Sequence, residues 1–317
     1  VTDLAVPSTA VAPDAHRIRA RRVRFGWDDT PVHWIPGDPQ TTHTINVLHL
    51  LLPEGEKWFA HVIRQSMDRI EDPALLDDVK GFVGQESVHS RAHAAVLDHL
   101  VAQGIDTRPF TRQVHRMFYG LLGDRPLGRP LPKRLERRWV DLRIAIIAAI
   151  EHYTSVLGAW VIDSPGLDAA GADPVMLDLI RWHGAEEVEH RSVAFDLYQH
   201  LDGSRVRRGI AMALTTPAIV LLWIAGTGYL LRRDPAARSR LSWRRFRRAT
   251  RAGRLPDVRT MFATVPGYFG ADHHPGSTAS TEDALAYLAT SPAALAALAA
   301  LAAPPSPTSD AAAASAG

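Results

Sequence analysis

Between Trp182 and Asp196 the chain reads WHGAEEVEHRSVAFD, and three of its side chains, His183, Glu187 and His190, fall at i, i+4 and i+7. With no proline in this stretch and apolar residues three and four apart, the pattern predicts a helix. The spacing sets all three polar side chains on one stripe. Two imidazoles and a carboxylate suit a dry core poorly but are good ligands for iron, manganese or zinc. The 317 residues include no cysteine, which excludes a thiolate ligand, a disulfide framework and a Cys nucleophile. Any metal must be held by carboxylates and by the chain's 15 histidines.

Three more helices are expected to supply partners. Pro53 can open a helix that ends near Pro73, with Glu56 on the face shared by Phe59, Ile63 and Ile70. Glu54 competes with Glu56, which lies deeper in the helix and is also the one that the family resemblance given below points to. A second helix, Pro73 to Gln103, places Glu86, His89 and His93 on one face, and Gly104 suits its C-terminal cap. A shorter helix is expected over 108–122. The next long helix, Lys133 to Asp163, has Glu151 as the only acid between Asp141 and Asp163, and a lone carboxylate in so apolar a run needs a partner. The last, Asp173 to His200, carries the opening motif. Four long helices with little strand signal predict an all-α bundle. Two helices offer one Glu each, and two offer Glu-x-x-His, as Glu86/His89 and Glu187/His190. That is the ligand order of ferritin-like di-iron or di-manganese carboxylate bundles. The bland alternative is a bundle with buried salt bridges, disfavoured because no Lys or Arg shares these faces.

On these residues the chain resembles the ferritin-like di-iron oxygenases and, within them, the arylamine N-oxygenase group, which adds a third His one turn before the last Glu-x-x-His. His183 occupies that position. The resemblance implies a seven-ligand site of Glu56, Glu86, His89, Glu151, His183, Glu187 and His190. WIPGDP at 34–39, LPEGEKWF at 52–59, GQESVHSRAH at 84–93 and EEVEHRSVAFD at 186–196 look like the bacterial family called predicted metal-dependent hydrolases. YFGADHHPG at 268–276 looks like a degenerate form of that family's late motif. The resemblance implies two iron ions, with Mn/Fe or Mn as alternatives, O₂ as co-substrate, and a small hydrophobic or amine substrate. The chain has no GxGxxG fingerprint, so an external electron donor, a separate reductase, is expected. Hydrolysis at the same di-metal site is the alternative activity, and a metal-storage or O₂-sensing bundle is the non-enzymatic one. His93 is expected to support the site rather than ligate. Glu186 and Glu189 lie off the stripe and are expected to be solvated or behind the ligands, with Glu186 the substitute should Glu187 be misassigned. Tyr153, Trp160, Trp182, His273 and His274 are expected to be structural.

The rest of the chain divides as a disordered 1–20, a di-metal bundle over 21–203, hydrophobic and Arg-rich helices over 204–275, and a low-complexity, disordered 276–317 with a weak helix at 281–302. Arg17 to Arg24 read as a solvated basic run, and Phe25 to Asp38 as an ordered irregular segment packed on the body. Residues 201–317 hold 14 arginines against seven acidic residues, while 1–200 carry an acidic excess. Gly209 to Leu231 is free of charge and long enough for a bilayer, and RSRLSWRRFRRATRAGR follows at 238–254. Aromatics among arginines suit an anionic lipid surface, whereas a nucleic-acid partner would have no use for the apolar run. Peripheral or monotopic association with the inner face of the membrane is therefore expected of a cytoplasmic protein, with a hydrophobic helix packed on the bundle of a fully soluble protein as the equal alternative and a homodimer allowed.

Overall fold

The computed structural model describes residues 17–237 and 239–302. The disorder expected of 1–16 and 303–317 lies outside these residues. The protein is all-helical over the described chain. α1 (Pro39–Arg64) begins 14 residues before the expected start. Proline does sit at its first position, but it is Pro39, and Asp38 caps the helix by accepting from the Thr41 N–H. Pro53 lies inside the helix. α2 (Pro73–Ala102) matches its predicted span, and α3 (Arg108–His115) is continued by a wider turn to Leu121. α4 (Lys133–Ile162) also matches, and the short α5 (Pro165–Ala169) follows.

The helix expected over 173–200 is broken in two, α6 (Pro174–His190) and α7 (Val193–Leu201). Arg191 stands at the break. Its guanidinium donates to Pro275 O at 3.1 Å, Gly276 O at 2.7 Å and Thr281 Oγ1 at 2.8 Å. Arg191 thus ties the late motif onto the bundle, and His274 of that motif pairs with Asp196 at 3.0 Å. α8 (Arg205–Arg233) lies across α1 and α4, followed by α9 (Trp243–Arg251), α10 (Val258–Ala263) and α11 (Val265–Tyr268). Residues 281–302 are not a loose tail. They form α12 (Thr281–Leu288) and α13 (Pro292–Ala302), which pack on α6 through Ala284, Leu288, Ala293 and Ala294. Their alanine-rich sequence hides a narrow buried stripe.

α1, α2, α4 and α6 surround the centre of the bundle. α4 and α6 approach backbone to backbone at Gly158 and Gly184: a Cβ on Gly184 would stand 2.8 Å from Gly158 Cα and 2.8 Å from Val161 Cγ1. This close crossing sits one residue from His183 and sets how far that ring reaches inward. The segment before α1 is ordered, as its aromatics predict. Phe25 packs on Trp182, Trp34 donates to Asn46 Oδ1 at 2.8 Å, and Trp34 O accepts from the Asp173 N–H.

Candidate metal centre

All seven predicted residues are buried and meet in the middle of the bundle. They form two groups. In the first, His183 Nε2 stands 2.7 Å from Glu187 Oε1 and 3.7 Å from Glu56 Oε1, and His89 Nδ1 stands 3.6 Å from Glu187 Oε1. In the second, His190 Nε2 stands 3.2 Å from Glu151 Oε2, 3.4 Å from Glu86 Oε1 and 3.5 Å from Glu187 Oε2. Glu187 therefore turns one oxygen to each group. Glu86 Oε1 also faces both, lying 3.6 Å from His89 Nδ1. Four carboxylates and three imidazole nitrogens converge as a double site joined by Glu187 and Glu86. Glu54, the competitor of Glu56, points outward to His115 at 2.6 Å.

Most of the donor atoms have no partner. Both oxygens of Glu56, Glu86 and Glu151, Oε2 of Glu187, Nδ1 of His89 and Nε2 of His190 are buried without a hydrogen-bond partner. Leaving a buried polar atom unpaired costs about 1–3 kcal/mol, so these nine together cost on the order of 10–25 kcal/mol, as much as a domain's whole stability. Among the described residues no Lys or Arg makes an ion pair with any of the seven, which removes the salt-bridge alternative. Two divalent cations would match the four carboxylates in charge and use every orphaned atom. The residues present fit such ions.

The electrostatics carry the same signature. Burial, joined by the neighbouring carboxylates Glu86 and Glu187, pushes the Glu56 carboxyl well above the usual range. Burial and Glu187 do the same to Glu151, and burial raises Glu86. Burial also opposes charge on the histidines, but the hydrogen bond that His89 makes to Glu186 and the nearby charges of Glu186 and Glu86 outweigh it at His89, raised to about 9. At His190 the charge of Glu187 and the contact with Glu151 outweigh it too. Glu187 moves the opposite way: despite burial, His190 and His183 hold it well below the carboxylate range. Without a cation the centre must retain protons.

Around the seven lies a layer that fixes the rings. His89 Nε2 bonds Glu186 Oε2 at 2.8 Å, leaving Nδ1 to face the centre, and Trp182 packs edge-on against the same ring. His190 Nδ1 bonds Gln85 Oε1 at 2.9 Å, leaving Nε2 inward. The far ring nitrogen of His183 meets His93 Nε2, and His93 Nδ1 meets His49 Nδ1 at 2.7 Å. His93 thus supports the site, as expected. Glu186 and Glu189 are buried rather than solvated, and they recruit Arg21. Its guanidinium donates to Glu186 Oε1 and Glu189 Oε2, each at 2.8 Å, and to Glu189 Oε1 at 2.9 Å. The basic run Arg17 to Arg24 is therefore not wholly solvated, because Arg21 enters the bundle to neutralise two acids. His49 was missed although it stands seven residues before Glu56 on the same stripe; opening the helix at Pro53 hid it. Nothing in the sequence around Arg21 marks its role.

A third His/Asp group, His33, His43 and Asp234, differs in kind. Asp234 Oδ2 bonds His33 Nε2 at 2.6 Å and His43 Nε2 at 2.9 Å, and Oδ1 accepts from the N–H groups of Ala236 and Ala237. Every carboxylate oxygen is satisfied, so the group staples the end of α8 to α1 and the segment before it.

One side of the centre opens on a cavity of about 630 Å³, within the range of small-molecule sites. His93, His183 and Glu187 form its floor. Its walls are largely apolar, with Ile45, Leu48 and Leu52 of α1, Leu157 and Val161 of α4, and Ile219 and Trp223 of α8.

Fold and centre together define a metal-dependent helical bundle. The model of the family described as predicted metal-dependent hydrolase matches residues 19–279, and the chain belongs to that family. Searches of curated proteins and of solved structures gave no significant match.

Proposed function

We propose that the protein is a non-haem di-iron oxygenase acting on a small hydrophobic or amine substrate. The observation that carries this reading is the double group of four carboxylates and three imidazoles, joined through Glu187, with a largely apolar cavity against one side. Glu56, His89, His183 and Glu187 would hold one ion, and Glu86, Glu151, His190 and the second oxygen of Glu187 the other. Iron held at both positions would supply the redox chemistry that reduces O₂. Nitrogen ligation is uneven, two imidazoles against one, and the first group borders the cavity, so substrate approaches that side. The apolar walls exclude water from the reacting atoms and bind by burial of apolar surface. Hydrogen bonds of His89 to Glu186 and of His190 to Gln85, and the pairing of His183 with His93, hold each ring with the right nitrogen inward. One substrate hydroxylation uses one O₂, two electrons and two protons and releases one water. The electrons come from a separate reductase.

A second reading, metal-dependent hydrolysis at the same site, is favoured by the family's description. It needs metal-activated water and polar donors for the developing oxyanion. The two readings separate on O₂. Substrate turnover by reduced protein that stops under anaerobiosis, with O₂ consumed one-for-one with product, supports the oxygenase. Full turnover of esters or amides without O₂ overturns it in favour of the hydrolase.

A further inference from the structure

The cavity mouth lies where two unusual surfaces meet. α8 keeps one face on the bundle: Ala211, Met212, Gly226 and Leu230 are buried, Trp223 donates to Thr44 O at 2.8 Å, and the Tyr229 hydroxyl donates to Asp106 O at 2.6 Å. Its opposite face is bare. Val206, Ile210, Leu214, Leu221 and Ile224 form an exposed stripe, Leu214 and Leu221 being 61% and 67% exposed. From Val206 to Ile224 this stripe runs about 27 Å at the helical rise. The second surface is α9, where Arg244, Arg245, Arg247, Arg248 and Arg251 are exposed. Among the described residues none of these five makes an ion pair. Trp243, at its start, is 64% exposed and stacks on Phe246. Ile224 and Trp243 line the cavity while remaining more than half exposed, so the entrance is itself apolar and bordered by arginines.

The geometry points to an anionic lipid bilayer as the partner of this face. α8 lies in the plane of the membrane, the arginines of α9 meet headgroup phosphates, and the cavity draws a lipophilic substrate directly from the acyl layer. Taking the cavity as the substrate site rests on the proposed function; docking of the face does not. A transverse span is disfavoured by the bonds that tie α8 to the bundle at several points. A second copy of the chain fits poorly, because a two-fold contact on this face would gather both copies' α9 arginines at one interface. Amphipathic surfaces with arginines and an interfacial Trp bind anionic bilayers through apolar burial plus charge, at about five-fold in partitioning per basic residue.

The test is co-sedimentation of the full chain, carrying its metal, with vesicles of phosphatidylcholine alone and with about one-third phosphatidylglycerol. Binding at least ten-fold stronger to the anionic vesicles, weakened by salt, is expected. R244E/R247E/R248E should lower it by at least about a hundred-fold, and L221E, which does not line the cavity, by about ten-fold, both with metal content unchanged. Phosphatidylglycerol with brominated acyl chains should quench Trp fluorescence in the native chain and not in W243F. Equal binding to both vesicle types, or anionic binding without quenching of Trp243, overturns the docking. So does a dimer that L221E dissociates in a protein that ignores vesicles. None of these results bears on the metal count or on O₂ consumption.

Discussion

Replacing Glu151 by leucine separates what the centre does for the fold from what it does for metal. Glu151 lies in the apolar middle of α4, beside the buried Ile147 and Ala148, and neither carboxylate oxygen has a hydrogen-bond partner. Removing two unpaired buried atoms recovers about 2–6 kcal/mol at the usual cost per atom. Part of this is lost with the contact to His190 at 3.2 Å, although His190 keeps Glu86 and Glu187 beside it. The expected net effect on the chelated protein is a stabilisation of about 1–3 kcal/mol, unlike most buried substitutions, which destabilise. At about 2–4 °C per kcal/mol for a large domain, Tm should rise by about 2–12 °C. The same variant should lose the ion of the second group, so metal that stabilises the native chain stabilises Glu151→Leu far less. Thermal unfolding of both proteins, with chelator and after metal loading, reads the two effects. A chelated variant less stable than the chelated native chain would show that the protein itself satisfies this carboxylate, and the reasoning from orphaned atoms would fail.

Three further outcomes follow from the same geometry. Gly184→Ala forces α6 away from α4 at Gly158; a loss of about 1–3 kcal/mol and of metal from the His183 side is expected, read by Tm and metal content. Arg21→Met removes the guanidinium that neutralises the buried Glu186 and Glu189, costing about 2–4 kcal/mol because Arg21 is only 19% exposed, and should weaken metal binding about ten-fold or more through Glu186 and His89. The pH dependence has a defined sign. Groups whose pKa is higher in the folded state give stability that is lost as pH rises through the folded value, and Glu56, Glu86, Glu151, His89 and His190 are all of this kind. His49, His93 and His183 are shifted down and act only as pH falls below the usual imidazole range. Metal-free protein should therefore lose stability between about pH 7 and the His89 value of about 9, and metal uptake near neutrality should release protons, measurable in buffers of different ionisation enthalpy. A metal-free Tm that rises over this window would contradict the assignment.

The helices and the seven-residue cluster were legible in the sequence because helical periodicity is local: Glu86/His89 and Glu187/His190 fix their own face, and Glu151 stands out in an apolar run. What escaped depends on contacts distant in sequence. Arg21 reaches Glu186 and Glu189 across about 165 residues, and nothing near it in the chain reports that. The break at Arg191 falls where its guanidinium reaches the carbonyls of residues 275 and 276. The start of α1 turned on which of two prolines occupies the first position, and only the Asp38 cap decides it. For the charge-free run of α8, composition alone reads the same for a span and for a half-packed helix, since both need the same residues; the hydrogen bonds to Thr44 and Asp106 add that one face of α8 packs on the bundle.

The most direct measurement is metal content per chain on protein purified without chelators, followed by the response of the reduced protein to O₂. About two irons per chain, with O₂ taken up and a transient change in visible absorption, is the predicted result. A single zinc per chain, with no reaction toward O₂, would contradict the di-iron account and turn the same seven residues to hydrolysis.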